Sequence, residues 1–569
     1  MGTSGIFDKK TGIGQSNILL RSPLLVDAFS EEMKALESEP RNRRRERLSR
    51  FFGLTRLRPD EAGLLVAFSA GEILPYGHMQ QMAKNELSPT MIRKAFRMMT
   101  GLSDKELIEK VSEGGRYSEL LPREGDDNAD YAQGIQLTMV KTWFEEVLNY
   151  LRAPEELIET IVKHLQPTTS RCLLRILEGD APSALNVEGV LDALAATVGI
   201  EAEKVYDCYH LTNSLEDTAE RAFRGRRALA QVHCRTGRPY RLTSPVLTES
   251  VEDAFGRCEG AAFAEVEVPG LRVEIHRRHA SIQLFTRSML DVSRAFPEIC
   301  EALEKGLVGT DDVIAEGQIF VPGASPEECE REIQLRIDQR PTTRGDVLKP
   351  TTLMSVAMID LTRQGREDLM GRPYSARRER LTHIFKPTER VQLVEGERVE
   401  SVSAAEEFLK SAQEKGYSGI ILRPATSYYA PGVAKNWYRV TSEDLRLDLC
   451  VIQATYTSTG TLSRVTLACQ TDSGLAAIGD LSSTGADADQ WALLQKSIEP
   501  LRMTPTEKTA VVPHVVVEVA PKSWRSSPRR PSGYSISAPV LCHVRLDKGP
   551  REVENRASLD ARLGTDSED

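Results

Sequence analysis

The chain has 569 residues, of which 40% are hydrophobic and 27% charged, and this length allows about three or four domains. Its 73 Lys and Arg against 83 Asp and Glu give a net charge of −10, which excludes a histone-like basic protein but still permits a local basic groove. The sequence has no apolar run near 18 residues, no apolar signal core at its start and no CxxC pair among nine cysteines. We therefore expect a cytoplasmic protein, nucleoid-associated in a prokaryote, with reduced thiols and no membrane span or structural zinc.

The first third of the sequence predicts helices. Residues 1–40 are expected to be a flexible segment, and helical patterns fill 41–235. Ser88 is a candidate N-cap for one helix, Ser103 and Glu106 form a capping box for another, and VEGVLDALAATVG stops at Gly199. Strand patterns are nearly absent, so this region is predicted to be an all-α domain.

The pattern changes near residue 235. FAEVEVPGLRVEIHRR and SIQLFTR alternate apolar and polar residues, which predicts antiparallel strands, and strands and helices then mix up to 443. Between 444 and 552, about five short strands and one helix predict a small β-barrel of the OB type. The polar tail, 553–569, is expected to be disordered.

Several segments carry a family resemblance. They are AEVEVPGLRVEIHRRHASIQLFTRSMLDVSRAFPEI (264–299), MIDLTRQGREDLMGRPYSARRERL, GYSGIILRPATSYYAPGVAKNWYRV and GYSISAPVLCHVRLDKGP. In this order they resemble the motifs of ATP-dependent DNA ligases of the archaeal and eukaryotic three-domain type. The resemblance covers about 40–552 and implies a helical DNA-binding domain (41–235), an α+β nucleotidyltransferase or adenylation domain (236–443) and an OB-fold domain (444–552). In the family these domains encircle nicked duplex DNA.

The resemblance also implies a chemistry that this sequence does not support. Family ligases attack the α-phosphate of ATP with a lysine amine and form a lysyl-adenylate. Glu267 occupies the lysine position, Pro269 replaces an aspartate, and the sequence has no lysine between Lys204 and Lys305. We therefore expect a degenerate, catalytically inactive member without a catalytic residue. The remaining family positions with altered residues are Gln318, Ser418, Arg423, Arg439 and Thr441.

Other family positions keep their residues. Those that could still bind a nucleotide are Glu265, Arg272, Arg287, Glu316 and Lys548. Alternatively, Glu265 is an exposed strand position and Arg272 forms a structural ion pair. His276 and His279 are interpreted as exposed residues at strand ends rather than metal ligands. No metal or cofactor is expected, and ATP and Mg²⁺ would be needed only if the protein is an active ligase.

DNA contact is predicted from basic clusters. The family's Leu-Arg-Ile-Gly turn is replaced here by Ala181-Pro182-Ser183-Ala184, so its phosphate-binding arginine is absent. The candidate DNA-binding residues are Arg43, Arg44, Arg45, Arg226, Arg227, Arg377, Arg378, Lys522, Arg525, Arg529 and Arg530. The alternative interpretation is ordinary solvated charge.

Three functions are compatible with these observations. The first is a ligase-like pseudoenzyme that binds duplex or nicked DNA, or acts with a protein partner in a DNA-processing, repair or defence assembly. The second is an active ATP-dependent DNA ligase that seals nicks. The third is a protein-interaction scaffold that no longer binds DNA.

Overall fold

The structure is a computed structural model that describes residues 23–54, 57–74, 87–114, 116–122, 131–248, 250–309, 311–340, 351–432, 436–441, 445–484, 486–527 and 530–563. Every regular element described before residue 245 is a helix, as the sequence predicts. The α-helices of this region are α1 (Val26–Glu37), α2 (Arg41–Leu54), α3 (Pro59–Ser69), α4 (Pro89–Thr100), α5 (Asp104–Gly114), α6 (Leu137–Leu148), α7 (Pro154–Glu159), α8 (Pro167–Leu177), α9 (Val187–Val198), α10 (Ala202–Thr212), α11 (Leu215–Arg224) and α12 (Arg226–Ala230).

Local sequence signals set several helix ends. Ser88 occupies the N-cap position of α4, and Ser103 and Glu106 exchange the hydrogen bonds of a capping box at the start of α5. Helix α9 ends at Gly199, whose φ of 64° is left-handed. The prediction of a flexible segment over 1–40 was wrong for 26–37. Helix α1 buries Val26, Phe29, Met33 and Leu36 on one face, at helical spacing.

The middle region contains two antiparallel-rich sheets. The first has the order β1-β11-β10-β2-β9, and the second has the order β4-β3-β5-β6-β7 with β8 paired to β6. The strands are β1 (Val246–Leu247), β2 (Ala262–Val266), β3 (Leu271–Arg278), β4 (Ser281–Phe285), β5 (Val313–Phe320), β6 (Ser355–Gln364), β7 (Glu367–Asp368), β8 (Val391–Leu393), β9 (Gly396–Val399), β10 (Gly419–Pro424) and β11 (Tyr438–Thr441). The helices are α13 (Val251–Gly256), α14 (Pro297–Gly306), α15 (Pro326–Asp338), α16 (Tyr374–Ile384) and α17 (Val402–Glu414).

An apolar layer joins these two sheets. Ile314, Ala357 and Ile359 of the second sheet pack with Ala264 and Ile420 of the first. The ends of β2, β3, β5, β10 and β11 therefore lie close together, and they carry the family positions described above.

The C-terminal region is rich in β-structure. Its main sheet has the order β14-β13-β12-β16-β19 with β15 paired to β12, and β17 and β18 form a separate hairpin. The elements are β12 (Leu447–Tyr456), β13 (Leu462–Thr471), β14 (Gly474–Ser482), α18 (Ala488–Ile498), β15 (Lys508–Ala510), β16 (Val516–Ala520), β17 (Ser523–Ser526), β18 (Tyr534–Ser537), β19 (Val540–Arg545) and α19 (Arg556–Leu563). The strand pairs among the described residues do not close this sheet into the predicted barrel.

The end of the chain differs from the prediction of a disordered tail over 553–569. Residues 556–563 form helix α19, because Leu559 and Leu563 are one helical turn apart and bury against the C-terminal sheet. The helical and C-terminal regions also share one continuous apolar core. At their boundary, Tyr117 donates a hydrogen bond to the Met503 carbonyl at 3.1 Å.

Gly270 lies between β2 and β3, where the backbone conformation favours glycine. Its φ is +113°, and a Cβ atom there would overlap the Ile319 carbonyl oxygen. We expect Gly270→Ala to lower the free energy of unfolding by roughly 2 kcal/mol or more, through backbone strain and overpacking. Thermal denaturation measures the change. Gly371→Ala is the control, since its Cβ would meet nothing within 4 Å. Equal melting temperatures for the two variants would contradict the prediction.

Candidate nucleotide and nucleic-acid sites

Glu267 lies in the loop after β2, where the family lysine would be. Its backbone N–H donates to the Gly419 carbonyl at 2.9 Å, which fixes the loop against β10. Its carboxylate accepts a hydrogen bond from Arg439 Nε at 2.5 Å, and a weaker one from Ser418 Oγ at 3.4 Å. Two family positions that differ from the motif, 267 and 439, thus form an ion pair with each other. Arg439 thus binds Glu267, whereas an unpaired arginine at this position could bind a phosphate.

Glu265 is at the centre of a buried charge cluster. It accepts hydrogen bonds from Tyr374 Oη and Arg378, and its other oxygen lies 2.9 Å from Arg423 Nε. The side chain is 1% exposed, so the interpretation of an exposed strand position was wrong. Two guanidinium groups compensate the cost of burying this single carboxylate.

Glu316 is the matching carboxylate of the second sheet. It forms an ion pair with Arg272 and accepts hydrogen bonds from Tyr240 Oη at 3.0 Å and from Tyr429 Oη. Burial, and then the Glu316 charge, raise the pKa of both phenols well above the usual range, so both remain protonated donors. Glu316 therefore has its acceptor positions occupied by side chains of this chain.

Trp437 joins the two clusters. The guanidinium carbon of Arg272 lies 4.3 Å from the centre of its ring, and that of Arg423 lies 3.7 Å away. The indole is 2% exposed, as expected for a core residue. Cation–π contacts at these distances stabilise buried guanidinium groups. The space between the sheets is thus filled by two arginines, one tryptophan and the tyrosines around them.

The remaining family positions have structural partners. Gln318 donates from Nε2 to the Gly270 carbonyl at 2.7 Å, and Thr441 donates to the Ser418 carbonyl at 3.3 Å. Pro269 lies between β2 and β3. The described residues contain no group of three or more His, Cys, Asp or Glu side chains placed to hold a metal. Because Glu316 is already bound by Arg272 and two phenols, this donor set does not fit Mg²⁺, which prefers free carboxylate oxygens.

Two retained cations lie near the C-terminal region. Arg287 donates to Ser244 Oγ, and burial together with the neighbouring Arg272 lowers its pKa. Lys548 Nζ lies 2.5 Å from Asp448 Oδ2 and is 8% exposed. Both groups are held within the protein.

The prediction that Arg377 and Arg378 contact DNA was wrong. Arg377 is fully buried and forms a two-point ion pair with Asp360 at 2.9 Å, while Arg378 contacts Glu265. In the sequence, the start of helix α16 has four charged residues in seven, a pattern that indicates a solvated face. Here it lies against buried carboxylates, and neither arginine can reach a phosphate.

The basic strip of α2 is largely engaged by neighbouring groups. Arg44 donates to the carbonyls of Glu37 and Glu39 at 3.0 Å, and Arg45 pairs with Asp192 at 3.0 Å. Arg43 is exposed. At the other end of the helical region, Arg226 pairs with Glu201 at 2.9 Å and Arg227 is exposed.

A third basic group surrounds β17 and β18. Lys522, Arg525 and Arg530 are exposed, and we call these three residues and the two strands the basic hairpin. Arg529, also predicted to contact DNA, lies outside the described residues. The basic hairpin is the clearest exposed group of cations among the predicted DNA contacts.

His276 was wrongly predicted to be exposed. It is buried on β3, where Nε2 lies 2.7 Å from Glu274 Oε1 and Nδ1 accepts a hydrogen bond from the Gly237 N–H at 2.8 Å. Burial raises the pKa of Glu274 to about 7. His279 is exposed at a turn, with φ of 55°.

Four further residues of the site were not predicted from the sequence: Tyr240, Tyr374, Tyr429 and Asp360. Each tyrosine donates to a buried carboxylate, and Asp360 holds Arg377. The one local signal for these residues is the tyrosine of the segment GRPYRL, but the turn-rich pattern of that segment indicates a linker.

Residues 244–440 form a ligase domain of the nucleotidyltransferase type, preceded by helices and followed by β-structure. The family described as "ATP dependent DNA ligase domain" matches residues 244–440. The DNA ligase of Thermococcus onnurineus is 25% identical over 87% of this chain and 90% of its own length. That of Methanothermobacter thermautotrophicus strain Delta H is 28% identical over 80% of this chain and 84% of its own length.

A solved structure of mycobacterial DNA ligase D complexed with ATP and MES is 20% identical, covers 55% of this chain and 98% of that chain, and has a TM-score of 0.34. Residues 244–440 thus match the ATP-dependent DNA ligase domain family, and the chain is similar to archaeal DNA ligases over most of its length. Among the described residues, no helix is long and apolar enough to cross a membrane.

The Glu265 cluster can be tested by neutralising its carboxylate. Glu265→Gln leaves Arg378 and Arg423 buried without their anion, so we expect a loss of about 3–5 kcal/mol in unfolding free energy. Glu367→Gln is a matched control, because Glu367 also receives two arginines, Arg372 and Arg380, but is 39% exposed. The control should cost much less, because solvent screens ion pairs of exposed groups. Denaturant titration measures both, and a loss for Glu265→Gln no larger than the control's would contradict the cluster's importance.

Proposed function

We propose that this protein is a ligase-like pseudoenzyme that does not form a lysyl-adenylate and acts by binding DNA, in a DNA-processing, repair or defence assembly. The observation that carries the proposal is Glu267, a carboxylate held 2.5 Å from Arg439 where family ligases have their nucleophilic lysine. A negative charge at this position also opposes the approach of a triphosphate. We further propose three domains, with boundaries near 235 and 445, the last being an OB-type domain.

Loss or weakening of ATP binding is supported by the surrounding contacts. Glu265, Arg272 and Glu316 keep the family residue types, but each is paired within the protein. Binding a nucleotide would require breaking at least one buried ion pair, and the charge left behind would be costly. The similarity to DNA ligases over most of the chain favours the alternative of an active ligase, and adenylation distinguishes the two.

Adenylation is tested with ATP labelled at the α-phosphate. After incubation with Mg²⁺ and denaturation, we expect no covalent label on the protein, because no lysine lies at position 267. We also expect none on Glu267→Lys, since the new lysine would face Arg439, while Ser418 and Gln318 would still replace family residues. A family ligase treated in the same way is the positive control.

A stable label on the unchanged protein would overturn the pseudoenzyme proposal. A label on Glu267→Lys alone would show that the pocket still admits ATP, against the pairing described above.

DNA binding is tested through its salt dependence on nicked duplex DNA. If Arg525 and Arg530 contact phosphates, the double variant Arg525→Ala/Arg530→Ala should reduce the slope of log affinity against log salt by roughly 1.8, about 0.9 for each contact. Arg257→Ala/Arg372→Ala is the control, because these exposed arginines pair with Asp253 and Glu367 on another region.

An unchanged slope in the double variant would remove the basic hairpin from the DNA-binding surface. Absence of salt-sensitive binding by the unchanged protein would leave the interaction scaffold as the remaining function.

A further inference from the structure

Arg551 brings together residues from all three regions of the chain. It lies in the loop between β19 and α19, and its side chain forms an ion pair with Glu72 of the helical region. Its Nη1 also donates to Tyr209 Oη, on α10, at 2.8 Å. Its carbonyl accepts a hydrogen bond from Nη2 of Arg241, at the start of the middle region, at 2.8 Å. We call Arg551, Glu72, Tyr209 and Arg241 the clasp.

The ion pair of the clasp is largely shielded from solvent. The side chain of Arg551 is 16% exposed and that of Glu72 is 6% exposed. If one partner is removed while the regions stay together, the other is left as a buried, unpaired charge, which is costly. Separation of the regions returns that charge to water. Replacing Arg551 should therefore favour separation of the helical and C-terminal regions.

The helical and C-terminal regions are in contact although the middle region lies between them in the sequence. Besides the clasp, Asn186 Nδ2 donates to the Thr471 carbonyl at 3.0 Å, and Tyr117 Oη donates to the Met503 carbonyl at 3.1 Å. Apolar side chains of both regions also share one core. No covalent link crosses this boundary directly, so it can open while the chain stays folded within each region.

The closed clasp also covers cations of the middle region. Arg241 and Arg287 are half-buried. Two carboxylates of the C-terminal region, Glu552 and Asp448, lie close enough to Arg287 to oppose the lowering of its pKa by burial. Two hydrogen bonds with Gly549, both at 2.9 Å, fix the turn that carries Glu552. The C-terminal region thus places its own anions where an external anion would meet these arginines.

We propose that the clasp is an autoinhibitory contact, which holds the helical and C-terminal regions together and keeps Arg241 and Arg287 covered until its opening exposes them to nucleic-acid phosphates. The part that concerns nucleic acid rests on the proposed function, because it requires the protein to bind DNA. The closure itself depends only on contacts within the chain. Affinity for DNA is then reduced in proportion to the small fraction of open molecules.

Hydrogen–deuterium exchange of the protein without DNA tests the closure. The Asn186 N–H donates to the Asp472 carbonyl across the boundary at 3.4 Å, so its exchange reports opening. Arg551→Ala should speed exchange in the peptide that contains Asn186 by roughly fivefold or more. Small-angle scattering should show a larger radius of gyration for the same variant. Glu72→Gln breaks the ion pair from the other side and should have the same two effects.

Arg562→Ala is the matched control for the closure. Arg562 is 22% exposed and pairs with Glu554, which is 8% exposed, but both residues belong to the C-terminal region. This variant loses the same charge and should leave exchange at Asn186 unchanged. Exchange at Asn186 that is no faster in Glu72→Gln than in the control would overturn the closure, even if Arg551→Ala does not fold.

Binding to nicked duplex DNA tests the autoinhibition. Arg551→Ala should bind roughly threefold to tenfold more tightly at about 100 mM salt, although it has lost a cation, because more molecules are open. If Arg241 and Arg287 each gain a phosphate contact, the slope of log affinity against log salt should steepen by roughly 1.8. Arg562→Ala should not bind more tightly than the unchanged protein.

Weaker or unchanged DNA binding by Arg551→Ala would overturn the autoinhibition. Tighter binding by Arg562→Ala to the same extent would also overturn it, since the effect would not depend on the clasp. Faster exchange at Asn186 without salt-sensitive DNA binding by any variant would overturn the proposed DNA function and the autoinhibition, while it would support the closure.

Discussion

Two carboxylates buried between the sheets of the middle region determine which side chains can pack around them. Glu265 and Glu316 each need cations to compensate their burial, and they obtain them from Arg378, Arg423 and Arg272. Because those guanidinium groups also stack on Trp437, the aromatic core and the charge network depend on each other. The ligase frame thus keeps the family carboxylates and stabilises them with its own side chains.

This constraint connects the departures from the family motifs. A glutamate at 267 would be an unpaired anion facing the site, but here Arg439 and Ser418 both donate hydrogen bonds to it. A lysine at 267 would instead face the Arg439 guanidinium. The substitutions at 267, 418 and 439 are therefore compatible with one another in a way that does not require a nucleotide.

Much of the fold could be predicted from local patterns, and the site could be predicted only in part. Capping residues such as Ser103 and the helical spacing of apolar residues in α9 are local signals, so those helices follow from the sequence. The burial of Arg377 and Arg378 could not be predicted, because their partners Asp360 and Glu265 lie on strands distant in the sequence. His276 pairs with Glu274 of its own strand, but its burial depends on what packs against β3. The same holds for α19, where two leucines in a polar segment gain stability only from the sheet beneath them. The motif resemblance located position 267, but the role of Arg439 as its partner needed the structure.

We propose that side chains of this chain occupy the space in which a family ligase would bind ATP. Calorimetric titration of this 569-residue protein with ATP and Mg²⁺ tests this proposal most directly, because it detects binding whether or not chemistry follows. We predict no saturable heat at millimolar nucleotide, since entry would break buried ion pairs around Glu265 or Glu316. Saturable binding with a micromolar dissociation constant, abolished by Arg272→Ala, would contradict this claim.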